Sequence, residues 1–125
     1  MFELKVLTHF AAAHQLQMVS EKCENLHGHN WKIEVCVQGN TLGNDGLLID
    51  FRAIKGETKK IMDELDHKFL NDLELESFPK DKPSSENIAI YVAKSLQSYL
   101  KDPSVRVKSV SAWESDNACA TYICG

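Results

Sequence analysis

The sequence predicts an α+β fold, in which strands joined by short turns form an antiparallel sheet and two helices pack on one face of it. Three observations support this fold class. Residues 2–13, 28–39 and 105–114 alternate apolar and polar side chains at the period of a β-strand. Two intervening segments repeat apolar residues at helical spacing, and clusters of turn-forming residues separate the segments. The predicted order of elements is β-β-β-α-α-β-β.

The second strand shows the clearest alternation. One of its faces is predicted to carry two histidines followed by apolar residues, namely His27, His29, Trp31, Ile33, Val35 and Val37. Residues 40–46 are rich in Gly, Asn and Asp, which predicts a hairpin into a third strand at 47–51. A turn at 115–117 predicts a last short strand at 118–124.

Each predicted helix carries one apolar stripe. In the first helix, which is expected to end at Asp66-His67 despite the weakening Gly56, the stripe is Ile54, Ile61 and Leu65. Residues 71–83 contain two prolines and no period, so they are predicted to form a loop. Ser84 is the expected N-cap of the second helix, whose stripe is Ile88, Val92, Leu96 and Leu100.

Length and composition restrict the class of protein. A chain of 125 residues that is 43% hydrophobic fits one domain, residues 1–125. A net charge of -4 lacks the basic surface that nucleic acid requires, so nucleic acid is not an expected partner. We find no signal-peptide pattern and no apolar run of membrane-spanning length, so we expect a soluble cytoplasmic protein with no membrane partner. Its four cysteines are then expected to be reduced thiols.

Histidines and one cysteine form the strongest chemical signal. On an extended strand His27 and His29 share a face, about 6.6 Å apart along the chain. His14 lies at the end of the first strand, and three imidazoles with an open fourth position are typical of a catalytic zinc site. A His-x-His pair also occurs by chance, and imidazole ligands do not exclude copper or iron. Zinc is favoured, because the sequence shows no redox partner.

Cys23 precedes His27 by four residues and allows three interpretations. It could be a buried apolar residue, a fourth zinc ligand, or a thiolate whose pKa a nearby cation lowers so that it acts as base or nucleophile. Cys36 is expected to face away from the histidines and to serve packing, and packing is also the interpretation for Cys119 and Cys124.

Two further positions carry carboxylates beside chemically active neighbours. Asp66-His67 could transfer protons, although ordinary helix-end chemistry explains the pair more simply. Glu114 lies in a strand among apolar and small residues, where a carboxylate is either solvated or faces a ligand with paired N–H donors.

Together these motifs resemble the 6-pyruvoyltetrahydropterin synthase superfamily across nearly the whole chain. The matching motifs are Phe10-(x3)-His14, Cys23-(x3)-His27-Gly28-His29, Leu65-Asp66-His67, Ser84-Ser85-Glu86-Asn87 and Trp113-Glu114. The three-residue gap between Cys23 and His27 is similar to that of the bacterial 6-carboxytetrahydropterin synthase branch of queuosine biosynthesis.

The resemblance implies a tunnelling fold, with a four-stranded antiparallel sheet and two helices on one face. It also implies a homo-oligomer, in which sheets join edge to edge into a trimeric β-barrel and two trimers form a hexamer. Active sites would then lie between subunits, and Asp66 and His67 would reach Cys23 from a neighbouring chain.

By the same resemblance, the substrate is 7,8-dihydroneopterin triphosphate and the products are 6-carboxy-5,6,7,8-tetrahydropterin, acetaldehyde and triphosphate. The resemblance implies zinc on His14, His27 and His29, with Cys23 as general base and His67 and Asp66 as a proton relay. Glu114 would hold the pterin and complete the relay, and Ser84 and Ser85 would contact the pterin. The alternatives are a 6-pyruvoyltetrahydropterin synthase, which uses the same site for a different product, and a noncatalytic zinc- or pterin-binding module.

Overall fold

The computed structural model describes residues 1–15, 27–75, 78 and 82–125, with the backbone alone at position 27. In chain order the elements are β1 (Phe2–His14), β2 (His27–Gly39), α1 (Phe51–Leu65), β3 (Lys68–Phe69), a 3-10 turn (Leu70–Asp72), α2 (Ser85–Tyr99), β4 (Val105–Ser115) and β5 (Ala118–Ile123). The predicted α+β class is confirmed.

The strands form one sheet in the order β3-β1-β2-β4-β5. The three pairings β1–β2, β2–β4 and β4–β5 are antiparallel, whereas β3 runs parallel to β1. The family resemblance implies four strands, and this number is wrong, because the sheet has five. The additional strand forms because the chain leaving α1 is bonded to β1: the backbone N–H of His67 donates to the carbonyl of Ala11, and Lys68 then pairs with Ala12.

Alternation in the central strands places the hydrophobic core under the helices. The side chains of β2 that are buried on this face are Trp31, Ile33, Val35 and Val37. Across from them, Val6, Phe10 and Ala12 of β1 are also buried, while the intervening His9 is exposed. β1 continues one residue further than predicted and includes His14, because His14 pairs with the backbone of His27.

The prediction of a strand at 47–51 is wrong. Asp50 instead caps α1, since its side chain accepts a hydrogen bond from the backbone N–H of Arg52 at 2.8 Å. Phe51 therefore begins the helix. The predicted apolar stripe of α1 is confirmed, because Ile54, Ile61 and Leu65 are all buried.

The second helix begins where the sequence predicts. Ser84 is its N-cap, and the Ser84 hydroxyl accepts from the backbone N–H of Asn87 at 3.2 Å. The buried side chains of α2 include Ile88, Val92 and Leu96, as expected for a stripe facing the sheet. α1 lies against β1, and α2 lies against β4 and β5. The two helices thus cover the same face of the sheet, one on each side of the central strand β2.

Neither helix in the described part of the chain is long and apolar enough to cross a lipid bilayer.

Candidate functional site

Three side chains from three neighbouring strands converge at one end of the sheet. They are His14 at the end of β1, His29 near the start of β2 and Glu114 near the end of β4. Oε1 of Glu114 lies 2.6 Å from Nε2 of His29 and 3.3 Å from Nε2 of His14. One ligand atom from each residue lies within 4.8 Å of the other two, so this group could hold a metal ion.

Strand register explains the convergence. Ala12 pairs with His29, so His14 and His29 are offset by two residues on neighbouring strands and share the face that the helices cover. On the other side of β2, Lys32 pairs with Trp113, which places Glu114 beside the start of β2.

A backbone contact fixes the ring of His14, which is fully buried. Its Nδ1 lies 2.8 Å from the carbonyl oxygen of Pro83, just before α2. A carbonyl can only accept, so Nδ1 donates to Pro83, and a neutral ring then has its lone pair on Nε2. Nε2 lies 3.3 Å from Oε1 of Glu114, where it either donates a proton to the carboxylate or, with Nδ1 held by the outer hydrogen bond, gives its lone pair to a metal ion. Imidazole nitrogen and carboxylate oxygen are both donors that zinc accepts, so the residues fit a divalent ion.

The structure brings together only part of the predicted ligand set. His14 and His29 are adjacent, with ring centroids 5.2 Å apart. The backbone of His27 pairs with His14 in the sheet, but the side chain of His27 lies outside the description. Cys23 also lies outside the described residues. Glu114, for which the family resemblance implies a contact with the pterin, is the third donor of the cluster in the described part of the chain.

Asp66 and His67 are in direct contact and tie the end of α1 to β1. Oδ1 of Asp66 accepts from the backbone N–H of Ala11 at 2.8 Å, and Oδ2 lies 2.9 Å from Nδ1 of His67. The backbone of His67 has φ 57°, which is uncommon for a residue other than glycine and turns its ring outward. The His67 side chain is 82% exposed, and it borders a surface cavity of about 520 Å³ that His29 also lines.

The carboxyl of Asp66 supplies a pH-dependent part of the stability. The Ala11 N–H, and then His67, lower the pKa of Asp66 below its ordinary value of about 3.9. A lowered folded-state pKa means that this stabilisation is present above pH 4 and disappears as pH falls through the folded pKa. We therefore expect Asp66→Asn to lower the urea midpoint at pH 7, and the gap from wild type to close in more acidic buffer. Asp63→Asn is the matched control, because exposed Lys59 is 3.4 Å from that exposed carboxyl and surface pairs of this kind contribute little. A gap that persists undiminished below the folded pKa would contradict this account.

Ser84 and Ser85 lie beside the site through their chain neighbour Pro83. Ser84 caps α2, and Ser85 is the first residue of that helix. The side-chain amide of Asn87 also donates to the carbonyl of Lys82 at 2.8 Å, which braces the segment on the far side of Pro83. The sequence does not predict the hydrogen bond from His14 to the carbonyl of Pro83, because every residue type has a backbone carbonyl.

The remaining cysteines lie away from the cluster. Burial, reinforced by the charge of Glu3, raises the pKa of the Cys36 thiol, which fits the predicted packing role. Cys119 is exposed on β5, so the packing interpretation of that residue is wrong. β5 is an edge strand, and the side chain of Cys119 lies on the face of β5 that is exposed in the described chain.

Comparison with known proteins identifies the family. Residues 3–123 match the family described as 6-pyruvoyl tetrahydropterin synthase. The chain belongs to this family, and it is an enzyme of the tetrahydropterin synthase type. The solved structure of 6-pyruvoyl tetrahydropterin synthase from Caenorhabditis elegans superposes with a TM-score of 0.83 at 26% identity, covering 99% of this chain and 96% of that one.

Relatives in sequence carry different product names. A dihydroneopterin monophosphate aldolase from Pyrococcus furiosus is 34% identical over 105 residues, which cover 84% of this chain and 82% of that protein. A 6-carboxy-5,6,7,8-tetrahydropterin synthase from Bacillus subtilis is 33% identical over 104 residues, covering 79% and 68%. Further relatives share the latter name. The family is thus settled at the level of pterin chemistry, whereas the relatives' names diverge on the product.

Proposed function

We propose that this enzyme converts 7,8-dihydroneopterin triphosphate to 6-carboxy-5,6,7,8-tetrahydropterin, with release of acetaldehyde and triphosphate. The observation that carries the proposal is the convergence of His14, His29 and Glu114 at one end of the sheet, in a chain whose relatives include several 6-carboxytetrahydropterin synthases. The product would enter the synthesis of queuosine in the cytoplasm.

In this proposal His14, His27 and His29 hold a zinc ion. Bound there, zinc would supply Lewis acidity to the hydroxyl-bearing side chain of the pterin. The hydrogen bond from Nδ1 of His14 to Pro83 supports this assignment, because it keeps Nε2 available without any rearrangement of the buried ring. The rival ligand set replaces His27 with Glu114, the third donor of the cluster in the described residues.

Proton transfer is assigned to Cys23, with Asp66 and His67 as the relay. Nδ1 of His67 lies against the Asp66 carboxylate, which favours the ring form whose Nε2 accepts a proton. The His67 ring is exposed next to β3, so in an oligomer it could exchange a proton with Cys23 of a neighbouring subunit. Both oxygens of Asp66 are engaged, so the pair is oriented before substrate arrives.

Glu114 is assigned to the amino and ring N–H donors of the pterin. A carboxylate can accept two parallel hydrogen bonds from such an edge. Oε1 of Glu114 lies 2.6 Å from Nε2 of His29 and 3.3 Å from Nε2 of His14. A pterin held by Glu114 would therefore have its reactive side chain next to the proposed metal. Ser84 and Ser85 are assigned to the same substrate, since Pro83 brings the start of α2 against His14.

Open sheet edges support a homo-oligomer. β3 pairs with β1 only at Ala12 and Ala13, and Ala11 is bonded to Asp66 and His67, so the outer edge of β1 from Phe2 to Phe10 pairs with no strand in the described chain. β5 forms the opposite edge, and the apolar side chains of Leu7 and Ile123 are 57% and 70% exposed. Natural proteins cover such edges, and closure into a barrel removes them. We propose a trimeric barrel and a hexamer of two trimers.

Product analysis tests the proposal against three alternatives. Incubation with 7,8-dihydroneopterin triphosphate should give the mass of the 6-carboxy product and one acetaldehyde per turnover. A 6-pyruvoyl product without acetaldehyde would assign the chain to the other synthase. A phosphorylated aldehyde released from dihydroneopterin monophosphate would instead favour an aldolase, the activity for which the Pyrococcus furiosus relative is named. Unchanged substrates would leave only a binding module.

A further inference from the structure

Trp31 lies against both imidazoles of the cluster. It follows His29 by two residues on the same face of β2, and it is fully buried. Its ring centroid lies 5.2 Å from that of His14 and 5.5 Å from that of His29, with interplanar angles of 83° and 77°. The two imidazoles are 5.2 Å apart at 78°. The three rings therefore form a triangle in which every pair meets edge to face.

This arrangement restricts rotation of the imidazoles. The terminal torsion of histidine is broad and roughly two-fold, so an unrestrained ring can exchange the positions of Nδ1 and Nε2. Pro83 opposes this exchange at His14. The edge-to-face neighbours Trp31 and His14 oppose it at His29, because rotation of one ring drives its edge into another.

Trp31 is itself held from behind. The ring of Phe10 is stacked on it with centroids 5.8 Å apart and an interplanar angle of 5°. The indole N–H is buried, and no residue in the described ranges accepts a hydrogen bond from it. Within those ranges the contribution of Trp31 to the site is therefore its ring surface.

We propose that Trp31 is a positioning residue that holds the rings of His14 and His29 in the orientation needed for metal binding. The inference rests on the proposed function, which places a metal on these two histidines. Partners that orient metal ligands are worth about 10- to 100-fold in metal affinity, and the apolar shell of a site limits access of water. Trp31 would supply both effects without touching the metal.

Three variants and a control test the role. Trp31→Leu removes the flat ring, whereas Trp31→Phe keeps an aromatic face and loses no described hydrogen bond. Phe10→Leu leaves Trp31 in place and removes the ring stacked behind it, so it serves if Trp31→Leu does not fold. Ile33→Ala is the matched control, because Ile33 is equally buried and lies two residues further along β2 from Trp31, away from the histidines.

Each protein is stripped of metal and titrated with Zn²⁺ against a chromophoric chelator, and its Co²⁺ absorption spectrum and urea midpoint are recorded. We expect Trp31→Leu to weaken Zn²⁺ binding about 10- to 100-fold and to shift the Co²⁺ bands. Trp31→Phe should remain close to wild type, and Phe10→Leu should change both readouts less, in the same direction. Ile33→Ala should lower the urea midpoint without altering either. Unchanged Zn²⁺ affinity and Co²⁺ bands in folded Trp31→Leu would overturn the proposal and leave Trp31 an ordinary core residue.

A readout without metal separates this inference from the proposed function. Long-range ¹H–¹⁵N correlation spectra of the metal-free proteins report which ring nitrogen of His29 is protonated. We expect one ring form in wild type and a mixture in Trp31→Leu. If wild type binds neither Zn²⁺ nor Co²⁺, the metal part of the proposed function fails, while a mixture confined to the variant still supports ring positioning. The same single ring form of His29 in both wild type and Trp31→Leu would refute the positioning role of Trp31.

Discussion

His29→Ala should lose stoichiometric metal and all measurable turnover while the protein remains folded. His29 is one of two imidazoles in the cluster, and it lies on the central strand of the three that meet there. Loss of a direct ligand should exceed the 10- to 100-fold in affinity that outer partners contribute, so we expect a fall of more than about 100-fold. The fold should survive, because strand pairing and apolar burial hold the sheet, and the His29 side chain is partly exposed.

Metal analysis, turnover and gel filtration measure the three parts of this prediction. His9→Ala is the control, because His9 is an exposed histidine on the opposite face of β1. It should retain metal, activity and assembly. A His29→Ala protein with one zinc per chain would show that the ligand set proposed here is wrong.

Cys23→Ala should retain its metal and lose about 10²- to 10⁴-fold in kcat, the range that general acid–base catalysis contributes. The expectation follows from the proposal that three histidines complete the protein's ligand set and leave the thiol free for proton transfer. Zinc content and single-turnover rates on the same preparation distinguish a lost base from a lost ligand.

Cys119→Ala provides a thiol control, because Cys119 is exposed on β5. Its turnover should match wild type. If Cys23→Ala instead releases zinc, the thiol is a fourth ligand, and the noncatalytic module becomes the better description of the site.

Alternation predicted the central part of the fold well. The period-two pattern placed His29 and Trp31 on one face of β2, and that face is the one buried beneath the helices. Helical spacing located both helices, and the hydroxyl of Ser84 identified the start of α2. These features are local, so each can be derived from neighbouring residues.

Of the features that the sequence did not predict, the first is local, and the other two depend on contacts that are distant in sequence. The apolar run at 47–51 resembles a strand, but the carboxylate of Asp50 caps a helix there. β3 forms because Ala11, which is distant in sequence, donates its N–H to the Asp66 carboxylate and accepts from the N–H of His67. The approach of Glu114 to His14 spans 100 positions and follows from strand order, which no motif encodes.

Because β2 lies between β1 and β4, its alignment with both partners determines which side chains reach the cluster. A slip of β2 by a single residue would send His29 to the uncovered face and bring Asn30 toward the core. Insertions or deletions between Gly28 and Trp31 are therefore more damaging to chemistry than many substitutions, and changes in length are better tolerated in the loop at 40–46, between β2 and α1, than in the strand.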